Sequence, residues 1–158
     1  MQTLRLNKIV QSFSNAIKNS EEIKQYINEN YGKTLKILVG YNGRKPPKEQ
    51  DCPFFAFTGL VKQEGEDIGE HTYHISMMWC ISNDKTEESE GVIKYLGAED
   101  SAELGQLIYN AIAVASENYT IDQANTTIDA FSFHPQFPGY MEATIKIPSV
   151  ISGGEIEF

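Results

Sequence analysis

The stretch that decides the fold is residues 73–82, which read YHISMMWCIS. Large apolar side chains alternate here with smaller or polar ones, which is the period of two that a β-strand imposes when one face of its sheet is buried. The set that we expect in the core consists of Tyr73, Ile75, Met77, Trp79 and Ile81. The set on the opposite face consists of His74, Ser76, Met78, Cys80 and Ser82. The pattern predicts one long strand with a single core-facing side.

Two helices are predicted at the start of the chain. Apolar residues recur at helical spacing from Leu6 to Ile17, and they form a one-sided stripe that needs a surface to pack on. Ser20, followed by two glutamates, is an N-cap signal for a second helix, which Gly32 can end. We therefore expect a turn between the helices near Asn19.

Two strands are predicted between these helices and the long strand. Apolar residues alternate over 35–41 and recur over 55–61, which suggests a hairpin-like pair. The connection at 42–53 is long for a hairpin, and loops of that length are often functional. A turn at 63–67 then leads into the long strand.

The sequence after the long strand predicts an acidic loop at 84–91, followed at 92–96 by either a short strand or extended chain. Residues 98–101 resemble a cap for the clearest helix of the sequence, whose apolar stripe runs from Leu104 to Ala115.

Two further strands are predicted near the end of the chain. The first covers 126–133, with a bulge where the apolar phase shifts between Ala130 and Phe131. The second runs from Met141 to Ile147 after a turn at 135–139.

These elements predict an α+β fold in the order α-α-β-β-β-α-β-β. The simplest packing is an antiparallel or mixed sheet of four to five strands with the helices on one face. We expect residues 1–158 to form a single domain in which 149–158 are a loosely ordered tail.

Composition narrows the classes of function. The chain has 158 residues, 41% hydrophobic and 22% charged, which is typical of a folded domain. Its net charge of −9 repels the phosphate groups of nucleic acids, so sequence-specific nucleic-acid binding is not expected. We also expect no membrane partner and a cytoplasmic product, because the chain has no long apolar run and no signal-peptide pattern at its start.

No set of residues in the sequence points to catalysis, a metal or a cofactor, so we do not expect an enzyme. His71 and His74 lie an odd number of residues apart in a strand and should face opposite sides of the sheet. Cys52 and Cys80 are expected to be free thiols in different surroundings, Cys52 in the long loop next to Glu49 and Asp51 and Cys80 inert in a strand. The loop around Arg44 lacks the ending and the following helix of a phosphate-binding loop.

Two charged segments are candidates for a contact between subunits. The long loop carries Arg44, Lys45 and Lys48, although this is an acidic protein. The acidic loop carries Glu87, Glu88 and Glu90. A basic loop on one copy facing an acidic loop on a neighbouring copy would be electrostatically complementary, whereas the simpler interpretation is solvated charge on two loops.

The order of elements resembles that of bacteriophage tail terminator, or tail-completion, proteins and related minor tail proteins of phages and prophages. The features that carry the resemblance are the N-terminal helix, the strand pair with its long loop, the run CPFF at 52–55, the strand at 73–82, the alanine-containing helix at 102–116 and the closing run FPGYMEATI at 137–145. The likeness lies in the order and general character of the elements, and no motif residue of the family can be assigned to a position of this sequence.

The resemblance implies a structural protein that forms a ring, often a hexamer, and ends the tail tube. Its partners would be copies of itself, the tail tube protein and the head–tail connector protein. It would reside in the cytoplasm during assembly and in the virion tail afterwards. An acidic surface suits the wall of a conduit for DNA. Two alternatives remain: a cytoplasmic module that binds a protein or ligand through the face bearing His74, Ser76 and Met78, and an enzyme with a shallow tyrosine and histidine site.

Overall fold

The computed structural model describes residues 5–63, 70–115 and 119–148. Within these ranges the chain is α+β, with a five-stranded mixed sheet, a separate two-stranded sheet and three helices. The helices are α1 Leu6–Asn19, α2 Glu21–Tyr31 and α3 Leu96–Ala115. The strands are β1 Lys36–Val39, β2 Phe54–Gln63, β3 Glu70–Ser82, β4 Thr86–Ser89, β5 Val92–Tyr95, β6 Thr120–Ile128 and β7 Gln136–Pro148. The predicted fold class is confirmed.

The long strand predicted from the alternating run is β3, at the centre of the main sheet. The strand order is β1-β2-β3-β7-β6, and β3 pairs antiparallel with both β2 and β7. The apolar set of β3 is fully buried beneath the helices, as predicted. The helices contribute the other half of this core with Ile9, Phe13, Ile17, Ile23, Ile27, Leu104, Ile108 and Ile112.

The predicted turn between the first two helices is confirmed at Ser20. The Ser20 hydroxyl accepts a hydrogen bond from the Ile23 N–H at 3.2 Å and caps α2. At the other end of α2, Gly32 adopts φ +62°, a left-handed conformation that glycine reaches without a Cβ penalty.

The hairpin-like pairing predicted for the first two strands is wrong, because β1 and β2 run parallel. The Lys36 N–H donates to the Pro53 carbonyl at 3.3 Å, and the Gly40 N–H donates to the Phe57 carbonyl at 3.2 Å. The long loop therefore carries the chain from the end of β1 back to the start of β2. A parallel connection needs a dozen or more residues, which the loop supplies.

The acidic loop predicted at 84–91 is also wrong, because it contains strand β4. The segment at 92–96, left open between strand and extended chain, forms β5, and the two strands pair as an antiparallel hairpin. The observed order of elements thus has one hairpin more than predicted, placed before α3.

The helix α3 begins at Leu96, so residues 98–101 lie inside the helix and do not cap it. Ser101 is fully buried and accepts a hydrogen bond from the Trp79 indole N–H at 3.2 Å, while the Ser101 carbonyl accepts from the same N–H at 2.9 Å. Ser101 therefore satisfies a polar group of the core and does not mark a helix start.

The boundaries of the last two strands also differ from the prediction. Asp129 ends β6 because its side chain accepts hydrogen bonds from the N–H groups of Phe131 and Ser132 at 2.9 and 3.0 Å, which forms a tight turn. Phe131 is consequently 94% exposed and not part of a bulged strand, and the register shift of β6 lies between Ile121 and Gln123. The predicted turn at 135–139 mostly belongs to β7. Residues 64–67 of the predicted turn and the predicted tail at 149–158 lie outside the described residues.

Candidate functional site

The hairpin of β4 and β5 is closed by a two-residue turn, Glu90 and Gly91. Both residues have positive φ, 52° and 80°, which matches the right-handed twist of the flanking strands. Glycine adopts this conformation freely, whereas a glutamate does so at a cost of about 1 kcal/mol or more. A charged side chain is therefore held at the hairpin tip where asparagine or glycine would be less strained.

Every residue of the hairpin is exposed. Glu88 lies opposite Ile93, and Ser89 lies opposite Val92, so that each face of the hairpin pairs a polar residue with an apolar one. Ile93 and Val92 are 58% and 57% exposed. The hairpin therefore presents apolar surface on both sides, next to the predicted interface residues Glu87, Glu88 and Glu90.

The base of the hairpin is fixed to the body of the protein by a polar network. The Asp100 carboxylate accepts hydrogen bonds from the Tyr31 hydroxyl at 2.8 Å and from the Asn83 side-chain N–H at 2.9 Å. The Tyr26 hydroxyl donates to the Asp100 carbonyl at 3.3 Å. Burial and the bond to Asp100 raise the pKa of Tyr31, and burial together with the charge of Asp100 raises that of Tyr26. This network joins α2, α3 and the residue that follows β3.

The hairpin contacts the body at its base and through side chains of β5. The Leu96 N–H donates to the Lys85 carbonyl at 3.1 Å, and the Lys94 ammonium lies 3.7 Å from the Glu99 carboxylate on the exposed surface. The Tyr95 ring meets the His134 ring edge-on with centroids 5.6 Å apart. The hairpin is therefore an arm with an anchored base and exposed strands.

The predicted basic residues lie in the long loop between β1 and β2. A turn that begins at Asn42 orients the loop. The Asn42 side-chain oxygen accepts a hydrogen bond from the Arg44 N–H, and the Asn42 carbonyl accepts one from the Lys45 N–H, each at 2.9 Å. Arg44, Lys45 and Lys48 are exposed, and no carboxylate of residues 5–63, 70–115 or 119–148 forms a salt bridge with any of them. The loop offers three cations that are not paired within the described chain.

The structure brings the end of the basic loop close to the base of the hairpin. A short 3₁₀ helix, Glu49–Asp51, ends the loop, and the Ser82 hydroxyl donates to the Glu49 carboxylate at 3.1 Å. Ser82 is the last residue of β3, and the hairpin begins four residues later. Lys48 and the hairpin base therefore lie at the same end of the main sheet, yet within the described residues no ion pair joins the six predicted interface residues to one another.

The face of the main sheet opposite the helices carries the residues of the binding-module hypothesis. His74, Ser76 and Met78 point to this face and are half-buried. The His74 ring nitrogen Nδ1 lies 3.2 Å from the Thr144 hydroxyl and 4.0 Å from the Glu142 carboxylate. These polar groups are already engaged with one another across neighbouring strands.

The prediction that His71 and His74 face opposite sides of the sheet is confirmed by their register in β3. Among the described residues, no group of three or more histidine, cysteine or acidic side chains is placed to hold a metal ion. The third histidine, His134, packs its ring against Tyr95 and Phe137. Of the helices in the described ranges, none has the length and apolarity needed to cross a membrane.

The prediction that the two cysteines have different surroundings is wrong. Both are free thiols, but Cys52 and Cys80 are buried in one small cluster with Phe54 on the face opposite the helices. Sequence spacing did not reveal this, because it is the antiparallel pairing of β2 with β3, with Phe54 opposite Cys80, that brings the end of the loop beside β3. The available signal was that Cys52 lies two residues before the strand that pairs with the strand of Cys80.

Comparisons with known proteins add no relative: the chain matches no protein-family model, and no curated protein matches it.

Proposed function

We propose that this protein is a structural subunit that assembles with copies of itself into a ring, and that it serves as a terminator of a phage or prophage tail. The observation that carries the assembly part is the β4–β5 hairpin, an anchored arm with exposed acidic and apolar residues. The tail part rests on the resemblance in element order and on the acidic character of the chain.

The hairpin favours an intermolecular role because it has no stabilising surface of its own. A two-stranded hairpin is at best marginally stable in water unless another layer covers one of its faces. Here the described residues of the body leave Val92 and Ile93 largely uncovered. A neighbouring subunit that packs on the arm removes this apolar area from water and stabilises the strands at the same time.

Charge complementarity favours a second copy of this chain as the partner that binds the hairpin. The acids Glu87, Glu88 and Glu90 of one subunit fit the cations Arg44, Lys45 and Lys48 of the next. Such a contact joins two different surfaces, so that it repeats head-to-tail and closes into a ring when the rotation per subunit allows. The partners of the completed ring would be the tail tube protein and the head–tail connector protein.

The decisive experiment is a charge swap. One variant carries Glu87→Lys, Glu88→Lys and Glu90→Lys, and a second carries Arg44→Glu, Lys45→Glu and Lys48→Glu. Each variant alone places like charges in the contact and is expected to remain monomeric by sedimentation velocity. An equimolar mixture restores opposite charges at every contact and is expected to recover the assembly of the unmodified protein.

A matched control reverses three exposed helical acids, Glu22, Glu29 and Glu103, which changes the net charge by the same amount. This control is expected to assemble normally. If the control fails like the hairpin variant, net charge and not the proposed contact governs assembly. If the two interface variants do not rescue one another, the hairpin and the basic loop are not the two sides of one contact.

The second candidate is a binding module that uses the sheet face with His74 and Ser76. The observation that favours it is that no helix of the described chain covers this face. A partner peptide or ligand on this face would shift the NMR signals of His74 and Thr144 while leaving those of the hairpin unchanged. The ring contact predicts the opposite pattern.

A further inference from the structure

The pair of cysteines lies where a loop and a strand meet. Cys52 follows the 3₁₀ helix that ends the basic loop, and Cys80 lies on β3 directly opposite Phe54 of β2. The side chains are 4% and 2% exposed, and together with Phe54 they form a cluster against which Leu38 and Met78 pack. Two thiols are thus held side by side away from water.

The two thiols lie in one buried cluster and are electrically unequal. Each donates to a different backbone carbonyl, Cys52 to that of Lys48 at 3.8 Å and Cys80 to that of Ile81 at 3.7 Å. The neighbouring Cys80 side chain lowers the pKa of Cys52, and the neighbouring Cys52 side chain together with burial raises the pKa of Cys80. The ammonium of Lys33, whose Nζ donates to the Cys52 carbonyl at 3.1 Å, acts in the same direction on Cys52. Cys52 is therefore the sulfur that ionises first and the better nucleophile.

The two sulfurs also differ in how easily a reagent can reach them. Residues 40–46 and 48–50 of the loop leading to Cys52 are exposed, so that a local opening of the loop uncovers its sulfur without breaking the main sheet. Cys80 is held in the centre of the sheet, because β3 is paired with β2 on one side and with β7 on the other. Cys52 is therefore the thiol that reacts first with an external reagent, and Cys80 is the thiol that reacts with Cys52 afterwards.

We propose that Cys52 and Cys80 form a dithiol site that is converted to an intramolecular disulfide by a low-molecular-weight disulfide such as oxidised glutathione. This modification site is independent of the ring proposed above. Formation of the bond would tie the end of the basic loop to the central strand.

The reaction balances as two thiol–disulfide exchanges. The Cys52 thiolate attacks one sulfur of the oxidised glutathione, which forms a mixed disulfide and releases one glutathione thiolate that takes up the proton lost by Cys52. The Cys80 thiol then loses its proton, attacks the Cys52 sulfur and displaces the second glutathione. The protein is oxidised by two electrons, and one glutathione disulfide is reduced to two thiols.

The test is an equilibration of the native chain with defined ratios of reduced and oxidised glutathione, followed by acid quenching, alkylation and intact-mass analysis. The expected product is lighter than the dithiol by two hydrogen atoms and carries no glutathione. Because the fold holds the sulfurs together, half-conversion is expected at about a tenfold or more lower oxidised fraction than for the same chain unfolded in urea. Equal values for the native and unfolded chains overturn the proposal, as does a product that is a mixed disulfide or a disulfide-linked dimer.

Single variants test the roles of the two sulfurs. The Cys80→Ser variant is expected to accumulate glutathione on Cys52 faster than the Cys52→Ser variant accumulates it on Cys80, and neither can form the internal bond. The reverse order overturns the assignment of Cys52 as the thiol that reacts first. When the same equilibration is run on the hairpin charge-reversal variant, its outcome does not depend on whether the ring exists.

Discussion

At the scale of single residues, Trp79 is a closely packed side chain of the core. Its indole N–H is satisfied by Ser101, and its ring lies against the backbone at two glycines, Gly105 of α3 and Gly139 of β7. A Cβ at these positions would come within 2.4 and 2.2 Å of the ring. The Trp79 ring therefore fits between α3 and β7 because these two positions lack side chains.

Gly105→Ala sets two effects against each other. Alanine raises helix propensity by about 1 kcal/mol, while forcing a methyl group into a packed core costs about 1–3 kcal/mol. Because the contact with the rigid Trp79 ring is shorter than any real Cβ contact, we expect the second effect to win and the variant to be less stable by urea unfolding.

The control for this prediction is Gly43→Ala in the basic loop. A Cβ there meets no atom within 4 Å, and the residue does not have positive φ, so the free energy of unfolding should change by less than about 0.5 kcal/mol. A Gly105→Ala variant as stable as this control would contradict the close packing described for Trp79.

Tyr26 and Tyr31 predict how stability depends on pH. Their pKa values are raised in the folded chain, so that the folded state keeps these protons where the unfolded state loses them. Their stabilising contribution is complete below the unfolded pKa of about 10 and is lost as pH rises above it. The Tyr26→Phe, Tyr31→Phe double variant should show a shallower fall in unfolding free energy above about pH 10 than the unmodified chain. Parallel pH profiles would rule out this linkage.

Residue patterns in the sequence predicted the core side of β3 correctly, because alternation depends only on local geometry. The polar run around Ser101 was misinterpreted as a helix cap, since a serine that caps a helix and a serine that serves a buried indole look alike in sequence. The burial of Cys52 and Cys80 in one cluster could not be predicted either, because it depends on which strands become neighbours.

At the scale of elements, the sequence predicted most helices and strands but not how the first two strands pair. Alternation in β1 and β2 is the same whether the strands run parallel or antiparallel. The length of the loop at 40–53 was the available signal, because a parallel return requires such a length. The hairpin was missed since its strands have no buried side, and its turn lacks the usual asparagine or aspartate before glycine.

The hairpin leads to a prediction about hydrogen exchange. In dissociated protein, backbone amides of residues 86–95 should exchange quickly, since the strands are exposed on both faces. In assembled protein the same amides should slow by about tenfold or more, because a neighbouring subunit covers them. Residues 73–81 of β3 serve as the internal reference and should be protected in both samples. A hairpin that exchanges equally in both samples would place the contact elsewhere.

At the scale of the whole molecule, the edges of the main sheet are poor assembly surfaces. One edge is β1, only four residues long, and the other is β6, whose sequence TIDQANTTI is mainly polar. Short and polar edge strands are the usual means by which proteins avoid edge-to-edge pairing. This leaves the hairpin and the basic loop as the complementary surfaces from which self-assembly is expected.

The central claim is that copies of this chain associate through the hairpin, and the solution mass measured by light scattering across concentration tests it most directly. We predict a discrete species at a multiple of the 17.7 kDa chain mass, near six if the proposed tail-terminator ring is a hexamer. That species should be absent from the Glu87→Lys, Glu88→Lys, Glu90→Lys variant. A chain that stays monomeric at every concentration would contradict self-assembly and favour the binding module on the opposite sheet face.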